Sequence, residues 1–286
     1  MSTRIQPPWS GLRVCMLLVS MLLVSTLMKS QSLDQRQGAA SVHSIDSFDT
    51  TQVIELRRYT VRDGERQHFA QYFESFFPEA LQQLGVWVAG DFLERDTPAH
   101  FTWLRVFHSM DDRAKGNAQL YYGPVWKEHK ALMNGLMLDS DNVLLLRPVD
   151  AASTVPILPA VDVVHEPSAK GVVVAQIFAI KPGATDTFLQ QARPLFAGYA
   201  GNGVRSVALL TTLDAANNFP QLPIRSDGPF VVWLGVARDD AALQELLPKL
   251  KKYAEAGLGE SVRSNPEIVV MDPGARSRLR WLPEAN

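Results

Sequence analysis

Glu55, Arg57 and Tyr59 stand at alternate positions in the stretch Val53 to Phe69, VIELRRYTVRDGERQHF. A strand sends alternate side chains to one face, so a carboxylate, a guanidinium and a phenol share a row. Such a row can bind and orient a small anion or an enol-type substrate. The same residues admit an architectural reading, an Arg–Glu pair with a tyrosine stacked beside it in the interior. A second candidate lies further on. Tyr122, Val125, Trp126, His129, Leu132, Met133 and Leu136 recur at helical spacing, so His129 sits on an otherwise apolar stripe. A histidine there can serve as a base or an axial haem ligand near neutral pH, or simply pack with one hydrogen bond made. Arg57 and His129 are thus the catalytic candidates. His108 ends a strand and can face either way. His68 sits beside a helix start and reads as solvated, and His43 and His165 fall in connecting segments.

The elements that must carry these residues are legible from periodicity. Val53 to Tyr59 reads as a strand that turns at Asp63-Gly64 into an amphipathic helix with Phe69, Tyr72, Phe73, Phe76, Phe77, Leu81 and Leu84 on its buried face. Pro78 predicts a kink in that helix, and Gly85 its end. Strands follow over 86–93 and 101–108. Ser109 with Asp112 three residues later predicts a helix start; that helix breaks near Gly123-Pro124 and resumes to Leu136. A short strand, 142–147, closes the unit in the order β-α-β-β-α-β, the ferredoxin-like arrangement.

A weaker copy of the opening stretch appears at Val172 to Phe188, with Tyr59, Gly64 and Phe69 falling on Phe178, Gly183 and Phe188 at a constant offset. Trp103-Leu104 lies on Trp233-Leu234, Asp111-Asp112 on Asp239-Asp240, and Pro148 on Pro273. The expected second set is strand 172–180, helix 184–200, strands 204–213 and 230–237, helix 239–256 and strand 267–271, with an insertion around Asn217 to Gly228. Glu55, Arg57 and Tyr59 become Val174, Gln176 and Phe178, while Trp126 and His129 fall on Ala254 and Gly257. The ionisable groups therefore belong to the first copy alone. The expected fold class is α+β: two tandem ferredoxin-like domains, 53–148 and 171–273, pairing sheet on sheet within one chain. A proline-containing linker (149–170) joins them and a solvated tail (274–286) follows.

Composition narrows the function classes. Hydrophobic residues make up 46% and charged residues 20% of the chain, ordinary for a globular protein. Arg4, Arg13 and Lys29 are the only charged residues before Leu33, so the rest carries 25 basic against 30 acidic groups. That balance gives no electrostatic reason to bind nucleic acid. Arg4 and Arg13 precede the apolar run Val14 to Met28, which suits a signal peptide over 1–32 and is short for a membrane span. Export with cleavage after Ser32 is expected, an uncleaved membrane anchor being the alternative. The polar segment 33–52 then leads in. The single cysteine, Cys15, lies in the apolar run. The remainder has no thiolate nucleophile, disulfide or cysteine metal site. Nucleotide-binding glycine loops, His-x-x-x-His zinc spacing and Gly-x-Ser-x-Gly are all missing from the sequence.

Glu55-Leu56-Arg57-x-Tyr59 with Gly64 five residues on resembles the opening of NIPSNAP-type domains. Trp103 to Ser109 followed by Arg113, Trp126 in the second helix, and the closing Leu146-Arg147-Pro148 add to that resemblance, which covers the first domain nearly end to end. It implies the dimeric α/β-barrel fold, with two sheets face to face and helices outside. It brings no agreed reaction. Wider relatives by fold include cofactor-free monooxygenases of aromatic polyketides and haem-dependent enzymes, each holding its ligand between sheet and helices. The expected binding set is Glu55, Arg57, Tyr59, Trp103, His108, Trp126 and His129, with a small apolar or aromatic molecule as ligand. No metal or other cofactor is required, haem being a minor alternative. A homo-oligomer is an open expectation, as is a non-catalytic interaction module.

Overall fold

Alternation along β1 (Val53–Val61) is expressed in full: Ile54 and Leu56 turn to one side of the sheet, Val53, Tyr59 and Val61 to the other. The computed structural model describes residues 52–162 and 170–282. The expected signal peptide, the lead-in up to Thr51 and part of the linker lie outside them. After β1 come α1 (Arg66–Phe76), α2 (Pro78–Gln83), β2 (Trp87–Glu94), β3 (His100–Phe107), α3 (Met110–Tyr121), α4 (Pro124–Leu136) and β4 (Met137–Pro148). The second half runs β5 (Val172–Ala179), α5 (Thr185–Ala197), β6 (Val204–Thr212), β7 (Phe230–Ala237), α6 (Asp240–Leu250) and β8 (Glu267–Pro273).

The eight strands close into one antiparallel barrel in the order β1-β3-β2-β8-β5-β7-β6-β4. The halves are stitched at two seams, Phe92–Glu94 against Met271–Pro273 and Leu146–Pro148 against Leu210–Thr212. Closure removes the open sheet edges and makes a shared interior. Leu56, Leu104 and Leu146 meet Ile177, Leu210 and Leu234 there in one buried cluster. The outward strand faces are covered in turn by helices. Tyr59 and Trp103 pack under Phe69, Phe73 and Phe77 of the first half, and Phe178 and Trp233 under Phe188, Phe196 and Leu246 of the second. Each sheet is therefore buried on both faces, and the polar row of β1 faces helices, not the barrel interior. Gly64 and Gly183, which open the two helical crossings, both take left-handed φ values (+78° and +77°) that glycine tolerates without strain. Among the described residues no helix is long and apolar enough to cross a membrane.

Several expectations need correction. The first helix is two, because Pro78 takes the first position of α2, where its missing N–H is not needed. The buried stripe runs along Phe69, Phe73 and Phe77, which leaves Phe76 on the rim, 43% exposed. β4 begins at Met137, well before the expected Asn142. α6 stops at Leu250, two residues past Pro248, and continues only as 3-10 turns. Helix capping aligns Ser109 with Asp239, each accepting from the backbone N–H three residues on, so Asp111-Asp112 does not correspond to Asp239-Asp240. The described part of the linker is no loose spacer: Val155, Ile157 and Leu158 join the barrel-interior cluster, and Gln52 exchanges two hydrogen bonds with Val155. Nor is the tail solvated. Leu279 is buried, Arg278 donates to the Leu158 carbonyl at 2.8 Å, and Arg280 to that of Pro159 at 2.9 Å. Carbonyls of a proline-rich segment lack ladder partners, and the tail guanidiniums supply them.

Candidate functional site

Register puts Glu55 opposite Arg105 and Arg57 opposite Trp103 across the β1–β3 pair. All four side chains sit on the helix-facing side. Helix α3 adds a fifth group. Ser109 Oγ accepts from the Asp112 N–H at 3.1 Å, which fixes the helix start, and Arg113 one turn in descends onto the sheet. Glu55 thereby receives three guanidiniums: Arg57 Nη1 at 2.7 Å, Arg105 Nε at 2.5 Å and Arg113 Nε at 2.6 Å. All four charged groups are fully buried. Burial alone would push the Glu55 carboxyl up, yet Arg105, Arg57 and Arg113 together hold it well below its ordinary range. Arg113 is shifted down, by burial first and by its like-charged neighbours Arg105 and Arg57 second, against the pull of Glu55.

Arg57 connects this cluster to open space. Its Nε donates to Tyr59 Oη at 2.7 Å; its Cζ lies 5.4 Å from the Tyr59 ring centroid and 6.0 Å from that of Trp103. Burial pushes its pKa down, but Tyr59, Glu55 and Tyr121 more than reverse this, so it stays protonated. Beside it Tyr121 is shifted up, by burial and by Tyr59, although Arg105 and Arg57 oppose this. Arg57, Tyr59 and Trp103 form one wall of a cavity of about 280 Å³. Phe73, Phe77 and Leu81 come from α1, α2 and their junction; Leu120, Tyr121, Trp126 and Met133 come from α3 and α4. Asn134, Met137 and Ser140 add to the lining near the end of α4 and the start of β4, and Phe219, Gln221 and Leu222 reach it from the β6–β7 connection of the second half. The volume is near the lower end of the roughly 300–1,000 Å³ typical of small-molecule sites.

The expected site residues divide. Arg57, Tyr59, Trp103 and Trp126 line the cavity, and Glu55 supports Arg57 from behind. His129 does not line it. Its Nδ1 lies 2.7 Å from Tyr72 Oη, and its ring stacks on Phe76 (4.3 Å, 28°) with Phe77 at its edge. The stripe packs inward except for Tyr122, which is 60% exposed, and His129 looks at α1. An imidazole so packed, away from the cavity wall, does not fit an axial haem ligand. His108 is exposed at the end of β3 and outside the lining. Arg105, Tyr121 and the loop residues were absent from the expected set. Arg105 could have been found by setting β3 against β1; the loop carries no periodic signal.

The second half holds no such charge. Gln176 stands opposite Trp233, donates to the Leu250 carbonyl at 2.8 Å and accepts from Tyr199 Oη at 3.0 Å. The Tyr199 ring meets Trp233 edge-on at 5.0 Å, so large side chains pack where the first half has an arginine cluster.

No protein-family profile matches the chain, and no curated protein matches it in sequence. Solved structures do. A monooxygenase-like protein of Fusobacterium nucleatum superposes with a TM-score of 0.56 over 82% of this chain and 97% of its own, at 9% identity. An anthrone oxidase-like protein does so with a TM-score of 0.51 over 78% of this chain and 91% of its own, at 15% identity. NIPSNAP proteins are also among the structural neighbours, over part of the chain. A NIPSNAP-like domain protein of Burkholderia xenovorans covers 38% of this chain and 96% of its own length, with 25% identity and a TM-score of 0.34. At such identities the likeness to the full-length neighbours establishes the fold, a mixed α/β protein with a closed eight-stranded antiparallel barrel.

Proposed function

We propose that this chain is a small-molecule-binding protein whose ligand, a small apolar or aromatic compound, occupies the cavity between β1–β3 and the helices above them. The observation that carries the reading is the make-up of that cavity. Aromatic and aliphatic walls surround a few polar groups, with Arg57 and Tyr59 on the sheet side and Asn134, Ser140 and Gln221 elsewhere in the lining, the usual anatomy of a ligand site. The chemistry such a site would serve is cofactor-free oxygenation of a ring methylene flanked by aromatic rings. In it, dioxygen delivers one atom to the carbon, which becomes a carbonyl, and the other leaves as water. The neighbours named for monooxygenase and anthrone oxidase activity supply that suggestion through fold alone.

The architecture proposed with it is two tandem ferredoxin-like domains, 53–148 and 171–273. Each half has the order β-α-β-β-α-β if split helices are counted once. The protein is proposed to be exported after removal of residues 1–32; sequencing the mature N-terminus tests this, and an intact Met1 in a membrane fraction refutes it.

Native mass spectrometry of the gently purified protein tests the binding reading. A bound small mass is expected, and it should be missing from a Met133→Trp variant whose indole fills the cavity. A mass retained by that variant would place the ligand elsewhere. Oxygen uptake on adding anthrone, without added cofactor, tests the enzymatic part separately.

A further inference from the structure

Two residues of the cavity wall each carry a buried N–H group without an acceptor, Nη2 of Arg57 and Nε1 of Trp103. Buried donors are nearly always partnered, so two orphans on facing residues call for an explanation. Charge points the same way. Arg57, Arg105 and Arg113 share Glu55 as their one carboxylate, which leaves two positive charges in excess. No Asp or Glu lines the cavity to balance them. Nη2 of Arg113 and both terminal nitrogens of Arg105 also lack partners, although the Arg105 guanidinium lies 5.3 Å from the ring centroids of Trp103 and Phe107. Uncompensated buried cations are strongly disfavoured. Donors without acceptors and cations without an anion require one complement, a group that only accepts and is negatively charged.

We infer that the cavity selects an aromatic carboxylate. This rests on the ligand-site reading above and specifies its ligand. The carboxylate oxygens accept from Arg57 Nη2 and Trp103 Nε1, and the ring lies among Phe73, Phe77, Leu120, Trp126 and Met133. An ionised carboxylate has acceptor sites only, and its bonds to a guanidinium are charge-assisted. Arg57 is already oriented for this task, because Nη1 is held by Glu55 and Nε by Tyr59. Little side-chain freedom is left to lose on binding. A neutral carboxamide of the same shape would bring donor hydrogens to a corner made of donors and would leave the excess charge in place.

The test compares naphthoate with its carboxamide, naphthamide, on the whole protein by calorimetry and by the fluorescence of the lining tryptophans. Naphthoate is expected to bind tighter by roughly tenfold or more, the worth of a hydrogen bond between charged groups. Arg57→Gln should abolish the preference, reducing naphthoate to the level of naphthamide. Should that variant fail to fold, Trp103→Phe keeps an aromatic ring, removes Nε1 and should narrow the preference for naphthoate over naphthamide. Equal affinity of the wild type for both compounds overturns the carboxylate inference and leaves the ligand site standing. Failure of both compounds to bind overturns both.

Discussion

Arg113 Nη1 donates to Asn217 Oδ1 at 3.0 Å and to Asn218 Oδ1 at 2.8 Å, joining the charge cluster of the first half to a loop of the second. That loop carries Phe219 and Leu222 into the cavity lining. Asn217 is its staple: Oδ1 also accepts from the Phe219 N–H at 3.1 Å, and Nδ2 donates to the Leu222 carbonyl at 2.9 Å. Closure of the site and fixing of the cluster are thus one set of contacts. Asn217→Ala should cost about 1–2 kcal/mol in stability and weaken naphthamide binding several-fold through a faster off-rate. Urea melts and stopped-flow dissociation check it. An unchanged off-rate would mean that the loop does not close the cavity.

Glu55→Gln should be the most damaging single change in the cluster. It leaves three buried guanidiniums without their shared carboxylate, where loss of one partner of a buried pair typically costs about 3–5 kcal/mol. Arg57→Gln should cost less, since it lowers the excess positive charge while Arg105 and Arg113 keep Glu55 paired. Equilibrium denaturation of both variants gives the order. A larger loss for Arg57→Gln would favour the purely architectural reading of the row.

Stability should pass through a maximum on the acid side of neutral, because two buried carboxyls pull in opposite directions. Glu55 is depressed below its ordinary value of 4.5, so its contribution is complete above that pH and fades as pH falls below it. Asp91 is raised well above its ordinary 3.8, first by burial and then by the neighbouring Glu74. The folded state therefore holds a proton that the unfolded state releases, and stability falls as pH rises from 3.8 towards the folded pKa. Asp91→Asn should flatten the decline above the maximum and leave the acid limb intact. Urea midpoints across the range measure this, and a decline that persists in the variant would contradict it.

Residues 50–148 expressed alone should not form a well-behaved monomer. Leu56, Leu104 and Leu146 would lose the buried contacts they share with Ile177, Leu210 and Leu234, leaving an apolar sheet face bare. Sedimentation should report a dimer or aggregate. A stable monomer would mean that the halves do not depend on each other.

Most of the fold was legible because alternation and helical spacing are local. β1, the disturbance at Pro78, the Ser109 cap and the strand edges near Pro148 and Pro273 each follow from a few neighbouring residues. The site was legible in part for the same reason. Glu55, Arg57 and Tyr59 announce themselves along one strand, whereas Arg105 joins them only once β1 and β3 are in register. Phe219 and Leu222 reach the cavity across the chain from an insertion without periodicity. His129 shows the limit most plainly: it is buried as its stripe predicts, but which neighbour a stripe faces is a tertiary fact, and here it is α1. The tail arginines misled in another way. Charge suggested solvent, while unpaired carbonyls of the proline-rich segment drew them inward.

The central claim is that the cavity beside Arg57 is a ligand site, and titration of naphthoate and naphthamide against wild type and Met133→Trp tests it most directly. Met133 is buried and lines the cavity, and overpacking at such a site typically costs about 1–3 kcal/mol, which should leave the protein folded. Saturable binding at a single site in the wild type, lost in a folded Met133→Trp, is the predicted result. Equal binding by both proteins, or none by the wild type, would contradict the account.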